Sequence, residues 1–184
     1  MKHFIKHITL GAVLGLAMLV SGTGQAHALL LGEDIRTDFL APNTSTVQFS
    51  DVQTVVDPGV EYADFANLGR VEIDFSANLI KLTALIDYTF DSLPFNGLRF
   101  SDENSTIPSW IASVNVGMTS AGLLGNFGLS HSDNEILLNV QGLTVNAGEM
   151  IALNVKPVPE PSTLLLLGTG LAGVIAWRKR QANV

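Results

Sequence analysis

The chain has 184 residues, with 10 Lys and Arg, 17 Asp and Glu, and no Cys. The length fits one domain of ordinary size, and the lack of Cys excludes disulfides, thiolate zinc sites, iron–sulfur clusters and a cysteine nucleophile. The net charge of −7 argues against a nucleic-acid partner, because a phosphate backbone is bound by basic surfaces. The mean hydropathy of +0.33 is high for a chain with 15% charged residues. The excess of apolar residues lies at the two ends of the sequence.

Residues 1–28 have the three zones of a secretory signal peptide. Two lysines precede an apolar run of 13 residues at positions 8–20, and a short polar stretch then leads to Ala26 and Ala28, one residue apart. This order predicts a signal helix that the Sec-type export machinery recognises, with cleavage after Ala28. The alternative is an uncleaved anchor, for which the apolar run is short.

The central part of the chain alternates apolar and polar residues with a period of two, which predicts β-strands with one buried face. A further strand is expected at 136–145, with Gly142 as a bulge or break. The turn sequence at 146–149 then predicts a final hairpin. The alternating segments are residues 47–50, 71–75, 110–118 and 151–155.

These segments predict an all-β fold for residues 29–156. Strand signals recur about every 10–15 residues, separated by turn residues, and no convincing amphipathic helix is present. We therefore expect a single antiparallel β-sandwich or jelly-roll-like domain of about eight or nine strands. This domain holds five basic and sixteen acidic residues, a formal charge of −11. Such a charge is compatible with a hydrated anionic matrix or with Ca²⁺-mediated association. The alternative explanation is that the charge only keeps the domain soluble.

No catalytic residue can be singled out, so we do not expect an enzyme. His131 is the only histidine of this domain, and the neighbouring residues 131–135 are those of a polar loop. A serine nucleophile in the G-x-S-x-G arrangement is absent. The sixteen carboxylates make chance pairs easy, and none is marked out as a glycosidase pair.

The same domain contains residues that could form a metal site or a sugar site. Oxygen-rich stretches at 101–105 and 133–135 do not match the EF-hand pattern, so we predict solvated turns, no metal site and no cofactor. Stacked aromatic side chains would favour sugar binding, although Trp110 is also the first inward residue of its strand. The candidate aromatic residues are Tyr62, Tyr88, Phe95, Phe100 and Trp110.

The C-terminal end combines a proline-rich linker with a short membrane segment. Residues 157–162 contain three prolines, which exclude a helix there. Fifteen uncharged residues follow at 163–177, and Arg178-Lys179-Arg180 comes next. A helix of that length reaches about 22 Å, so residues 163–184 would form a short transmembrane helix and a basic tail. The basic cluster should stay on the cytoplasmic side, as should the N-terminal lysines, which places residues 29–156 outside the membrane.

This tail resembles the PEP-CTERM sorting signal. The resemblance rests on Val158-Pro159-Glu160-Pro161, the Gly-containing apolar segment and Arg178-Lys179-Arg180, in that order. It implies a Gram-negative bacterium with an exosortase, a membrane-embedded enzyme that recognises Pro159-Glu160-Pro161. It implies nothing about the activity of the central domain. Hydropathy alone leaves a permanent anchor and a processed signal open.

Two functions are expected from these observations. The first is an exported, non-catalytic protein of the cell surface or the exopolysaccharide matrix, which starts as a membrane-anchored precursor. The second is a glycan-binding module, optionally assisted by Ca²⁺, that tethers extracellular polysaccharide. Aromatic side chains exposed on one sheet face would favour the second function. Burial of all the aromatic side chains in the core would favour the first.

Overall fold

The structure is a computed structural model that describes residues 29–107, 109–132, 134–158 and 169–170. The predicted signal helix at 1–28 lies outside the described residues, and so does the predicted membrane helix apart from Thr169 and Gly170, which are helical. Within the described ranges, no helix has the length and apolar character needed to cross a membrane.

The described residues form eleven strands and two short 3-10 helices, at Phe65–Asn67 and Ala121–Leu123. The strands are β1 (Asp34–Leu40), β2 (Val47–Thr54), β3 (Val71–Ser76), β4 (Leu79–Ala84), β5 (Tyr88–Thr89), β6 (Gly97–Asp102), β7 (Trp110–Val114), β8 (Gly128–His131), β9 (Glu135–Asn139), β10 (Thr144–Val145) and β11 (Met150–Pro157).

All strand pairs are antiparallel. One sheet has five strands in the order β2-β1-β6-β9-β8, and a second has four in the order β3-β4-β11-β7. β5 and β10, two residues each, pair with one another in a small third sheet. The predicted all-β class is confirmed. Eleven strands replace the expected eight or nine because this small sheet adds two that are too short to produce an alternating pattern.

The two larger sheets pack face to face across one hydrophobic core. Ile73 and Phe75 of β3 and Ile80 of β4 are fully buried on one side, and Phe100 and Ile136 are fully buried on the other. The rings of Phe75 and Phe100 meet edge to face across the interface, with centroids 5.8 Å apart and planes at 86°. The alternation predicted at 71–75 therefore marks a true core face.

The strand predicted at 110–118 ends early, at Val114. Trp110 and Ala112 point into the core as expected, but Val116 and Met118 are 68% and 41% exposed. The Asn115 backbone carbonyl accepts hydrogen bonds from the N–H groups of Met118 (3.2 Å) and Thr119 (2.9 Å). The Asn115 side chain also accepts one from the N–H of Met118, at 3.2 Å. The asparagine thus offers the backbone a local turn in place of a continued strand.

The predicted final hairpin is wrong. The segment 136–145 divides at Gly142, whose φ of 67° turns the chain, into β9 and β10. The turn at 146–149 does form, and the N–H of Glu149 bonds to the carbonyl of Asn146 at 2.9 Å. However, β10 pairs with β5, whereas β11 pairs with β4 and β7. The turn therefore joins two different sheets.

A cross-strand ion pair links β1 to β6 in the five-stranded sheet. The Arg99 guanidinium donates two hydrogen bonds to one oxygen of Asp38, at 2.9 and 2.5 Å, and Asp38 is only 1% exposed. The Glu135 carboxylate on β9 lies 3.9 Å from the same guanidinium. Burial of the Asp38 carboxylate costs free energy, and this cost is offset because Arg99 lies directly opposite Asp38 in the β1–β6 register.

Tyr62 covers the outer edge of β3. It exchanges two backbone hydrogen bonds with Ile73, at 3.0 and 2.8 Å, and its ring packs edge to face on Phe65 at 5.1 Å. Its hydroxyl is buried and makes no hydrogen bond among the described residues. The nearby Thr37 hydroxyl lowers the pKa of Tyr62, although the two hydroxyls do not meet in hydrogen-bond geometry. Burial raises the pKa of Tyr62 to about 12.

We predict that Phe75→Ala lowers the free energy of unfolding by about 3–5 kcal/mol, because it removes a fully buried ring and leaves a cavity between the sheets. The control is Ile111→Ala, at a residue of the same sheet that is 39% exposed. Its effect should stay within about 0.5 kcal/mol. Urea unfolding followed by circular dichroism measures both. Equal effects would contradict the assigned core face.

We also predict that stability falls between pH 10 and pH 12. The unfolded chain ionises Tyr62 near the ordinary tyrosine pKa of 10.0, whereas the folded chain holds the proton until about pH 12. Its contribution is therefore complete below pH 10 and is lost as the pH rises through 12. Tyr62→Phe should reduce this fall by roughly 2 kcal/mol. Tyr88→Phe, at the other tyrosine, should retain it, and urea unfolding across this pH range would decide.

Candidate functional site

The aromatic residues considered for sugar binding belong mainly to the core. Trp110 is 1% exposed, Phe100 is fully buried, and Tyr62 and Phe95 are 7% and 9% exposed. Tyr88 is half-buried, but the Arg70 guanidinium lies over its ring at 4.1 Å and donates a hydrogen bond of 3.1 Å to its hydroxyl. None of the five therefore presents an open ring face to a sugar.

The oxygen-rich loop after β6 is held together by its own carboxylates. Asp102 accepts hydrogen bonds from the N–H groups of Asn104 (3.1 Å) and Ile107 (2.5 Å). The Thr106 hydroxyl donates to Glu33 and lies 3.3 Å from an oxygen of the Asp102 carboxylate. These oxygens are engaged by donors of the domain itself.

Two neighbouring carboxylates fix the same loop to β1. Arg36 binds Glu103 through two hydrogen bonds, of 2.7 and 2.5 Å, and this bidentate pairing lowers the pKa of Glu103. Asp34 accepts hydrogen bonds from Thr54 at 2.5 Å and from Asn104 at 2.9 Å, and these bonds lower the pKa of Asp34. Both carboxylates are thus held ionised by structural partners.

The second oxygen-rich stretch and the lone histidine lie at one corner of the five-stranded sheet. His131 is the exposed last residue of the edge strand β8, and Glu135 begins β9 beside it. Asp133 lies outside the described residues. In the described part of the chain, no three acidic or histidine side chains come together as metal ligands would.

A cavity of about 390 Å³ opens between the two larger sheets at one end of the sandwich. It lies where β1, β4 and β9 end, where β3, β6 and β11 begin, and where β5 and β10 pair. Its walls are mainly apolar. The ionisable groups among its lining residues are Arg70, Tyr88, Asp91 and Glu149.

One polar side chain that borders this cavity has a buried oxygen without a partner among the described residues. Asn96 is 3% exposed, and its Nδ2 donates to the carbonyl of Asp91 at 3.1 Å, but its Oδ1 accepts no hydrogen bond among the described residues. The next residue, Gly97, begins β6. A Cβ on Gly97 would lie 1.9 Å from the carbonyl oxygen of Leu138, so glycine lets β6 approach β9 closely.

The chain ends of the domain lie together at the other end of the sandwich. The N–H of Leu29 donates to the Asn78 side chain at 3.1 Å, and the N–H of Val155 donates to the Asn78 carbonyl at 2.9 Å. β11 continues to Pro157, and the N–H of Val158 still donates to the carbonyl of Ser109 at 3.1 Å. The hydrogen-bonded structure therefore continues beyond the last strand to Val158.

Residues 157–181 match the family model described as the PEP-CTERM protein-sorting motif. The chain carries a PEP-CTERM sorting signal. This motif indicates an exported protein that an exosortase processes, with a precursor associated with the membrane. No curated protein and no solved structure is significantly similar to the chain.

The PEP-CTERM signal begins inside the folded domain. Its first matched residue, Pro157, is the last residue of β11, and Val158 is hydrogen-bonded to the domain. The remaining predicted signal residues, Pro159-Glu160-Pro161 and Arg178-Lys179-Arg180, lie outside the described residues, as do Ala26 and Ala28. The overlap at Pro157 could not be predicted, because three prolines so close together suggested a linker free of the sheet.

We predict that Asp102→Ala lowers the free energy of unfolding by about 1–2 kcal/mol, since it leaves the N–H groups of Asn104 and Ile107 without their acceptor. Asp57→Ala, at an exposed carboxylate elsewhere, should have little effect. Because the Asp102 carboxylate already accepts hydrogen bonds from the loop backbone, millimolar Ca²⁺ should leave the Tm of the unmodified protein unchanged. A Ca²⁺-dependent rise in Tm that Asp102→Ala abolishes would contradict this interpretation.

Proposed function

We propose that residues 29–156 form a non-catalytic protein of the cell surface or the extracellular polysaccharide matrix. The observation that carries the proposal is the PEP-CTERM match at 157–181. In this proposal the Sec-type machinery exports the chain, its N-terminal signal is removed after Ala28, and the C-terminal segment holds the precursor in the membrane until an exosortase acts at Pro159-Glu160-Pro161.

The junction between the domain and its tail supports processing of a folded protein. β11 is hydrogen-bonded on both sides, to β4 and to β7, and its pairing ends at Pro157. Cleavage at or after Pro159 would leave every described strand intact. The released domain would therefore keep its fold, as a protein that acts by interaction at the surface requires.

The charge of the domain supports the same destination. Sixteen acidic and five basic residues between 29 and 156 keep it soluble in a hydrated environment. The glycan-binding alternative gains no support from the five aromatic candidates, since four are buried and the ring of Tyr88 is covered by Arg70. It remains a prediction that would require a different surface.

We predict that the protein isolated outside the cells that make it starts at Leu29 and ends near Pro161. Intact-mass analysis of separated membrane and extracellular fractions measures both ends. Replacing Pro159, Glu160 and Pro161 by alanine should shift the protein to the membrane fraction with Arg178-Lys179-Arg180 retained. Deletion of the exosortase gene should do the same.

The matched control is Pro94→Ala, which removes an exposed proline of the domain and should leave processing unchanged. A full-length species in the membrane fraction as the sole product of the unmodified chain would mean a permanent anchor. That result would contradict the proposed release.

A further inference from the structure

The cavity between the sheets has the size and the walls of a site for an apolar chain. Its volume of about 390 Å³ falls within the range of roughly 300–1,000 Å³ that is usual for ligand pockets. A water molecule takes up about 30 Å³ in the liquid, so the cavity has room for roughly a dozen non-hydrogen atoms. Buried apolar side chains from both sheets form its walls, among them Leu82, Leu98, Leu138 and Ile151.

Arg70 lies at the rim of this cavity. It is half-buried, and its backbone carbonyl accepts a hydrogen bond of 2.8 Å from the N–H of Leu85. Leu85 is 37% exposed, and Leu68, which also lines the cavity, is 52% exposed. The cavity is therefore reachable from solvent on the side where Arg70 lies.

Tyr88 fixes the Arg70 guanidinium and leaves two of its nitrogens unused. Nη1 donates to the Tyr88 hydroxyl at 3.1 Å, and the guanidinium carbon lies 4.1 Å from the centre of the ring. The ring is itself held edge to face by Phe90, with centroids 5.1 Å apart. Nε and Nη2 of Arg70 make no hydrogen bond to any described residue. Their orientation is thus set before a ligand binds.

The two unused nitrogens are those with which other arginines of this domain bind carboxylates. Arg36 binds the Glu103 carboxylate through Nε and Nη2, at 2.7 and 2.5 Å. Arg99 binds Asp38 through the same two nitrogens. This edge of a guanidinium matches a planar carboxylate, which can accept two parallel hydrogen bonds from it. Arg70 presents the same edge with no carboxylate of the described chain on it.

A half-buried arginine without a carboxylate partner is unexpected in so acidic a domain. The domain holds sixteen acidic and five basic residues. Three of the five form ion pairs among the described residues, namely Arg36, Lys81 and Arg99. Of the other two, Lys156 is exposed to water and Arg70 is half-buried. Partial burial of an unpaired charge costs free energy, which a bound anion would offset.

The two carboxylates that line the cavity leave this edge of Arg70 open. Glu149 accepts hydrogen bonds from the backbone and side chain of Asn146, at 2.7 and 3.0 Å. Asp91 is exposed, and neither carboxylate forms an ion pair with Arg70. The rest of the acidic domain repels an anion only weakly, because salt at physiological concentration screens charges more than about 8 Å apart.

We propose that the cavity binds a linear monocarboxylate with an apolar chain of about ten carbons, a fatty acid of medium length. The chain fills the space between the sheets, and the carboxylate accepts hydrogen bonds from Nε and Nη2 of Arg70 at the rim. The site does not rest on the proposed destination of the protein. Binding and processing can therefore fail separately.

The test uses the full chain in phosphatidylcholine nanodiscs near neutral pH, with decanoate as the probe and decan-1-ol as its uncharged counterpart. Dialysis against protein-free nanodiscs fixes the free concentration of each probe, so uptake by lipid does not distort the titration. Hydrogen-exchange mass spectrometry locates binding, and titration of the protection gives the affinity.

We expect decanoate to protect the segments that line the cavity, at 84–90 and 138–145, more than it protects β7. It should bind about tenfold more tightly than decan-1-ol, because its hydrogen bonds to Arg70 are assisted by charge. Absence of this protection would overturn the site, and equal affinities would overturn the carboxylate ligand.

Two charge-removing variants test the contact with Arg70. Arg70→Gln should weaken decanoate binding about tenfold and leave the affinity for decan-1-ol unchanged. The matched control is Lys156→Gln, which removes the same charge at an exposed residue outside the cavity and should change neither affinity. An undiminished preference for decanoate in Arg70→Gln, or an equal loss in both variants, would contradict the role assigned to the guanidinium.

Two buried alanines test the position of the chain. Ala84 and Ala112 are both 7% exposed, and both lie in the four-stranded sheet within the core, but only Ala84 lines the cavity. Ala84→Phe should fill the space, abolish protection by both probes and keep the Tm, whereas Ala112→Phe should lower the Tm because the core there has no room. Decanoate protection that persists in Ala84→Phe would place the chain elsewhere and overturn the site.

Discussion

The pairing of β11 between β4 and β7 is the constraint on which the architecture depends. β11 is the last strand of the described domain, yet it lies in the interior of its sheet and supplies core residues such as Ile151, Leu153 and Val155. The four-stranded sheet therefore cannot close until this segment is available. Because the PEP-CTERM match begins at Pro157, the element that completes the fold and the element that directs sorting are continuous in sequence.

The two ends of the sandwich hold different structural features. The turn around Asn78 holds both chain ends, whereas the opposite end holds the cavity and the small β5–β10 sheet. The connections from β4 to β6 and from β9 to β11 both cross between the sheets at that end, and β5 and β10 lie in them. Tyr88 of β5 and Val145 of β10 both line the cavity, so the paired crossovers form part of its wall.

The sequence predicts those parts of the fold that depend on local patterns. β3 and β11 alternate clearly, and both bury the residues expected of them. The pattern failed at Val116 and Met118, where hydrogen bonds to Asn115 divert the backbone, and at β10, whose partner β5 lies more than fifty residues away. The sorting signal was recognisable because it is linear. The cavity was not, because its apolar walls resemble core residues in sequence and only the fold leaves Asn96 Oδ1 unpaired.

The hydrogen-bonded continuation of β11 into Val158 has a mechanical consequence. A force applied to the domain at Val158 passes directly along β11, because Val158 is the next residue after the strand and is itself hydrogen-bonded to Ser109. The hydrogen bonds of an antiparallel pair are perpendicular to the strands, so those on both sides of β11 share the load in shear and do not open one after another. A domain loaded in this way resists unfolding from its carboxyl end.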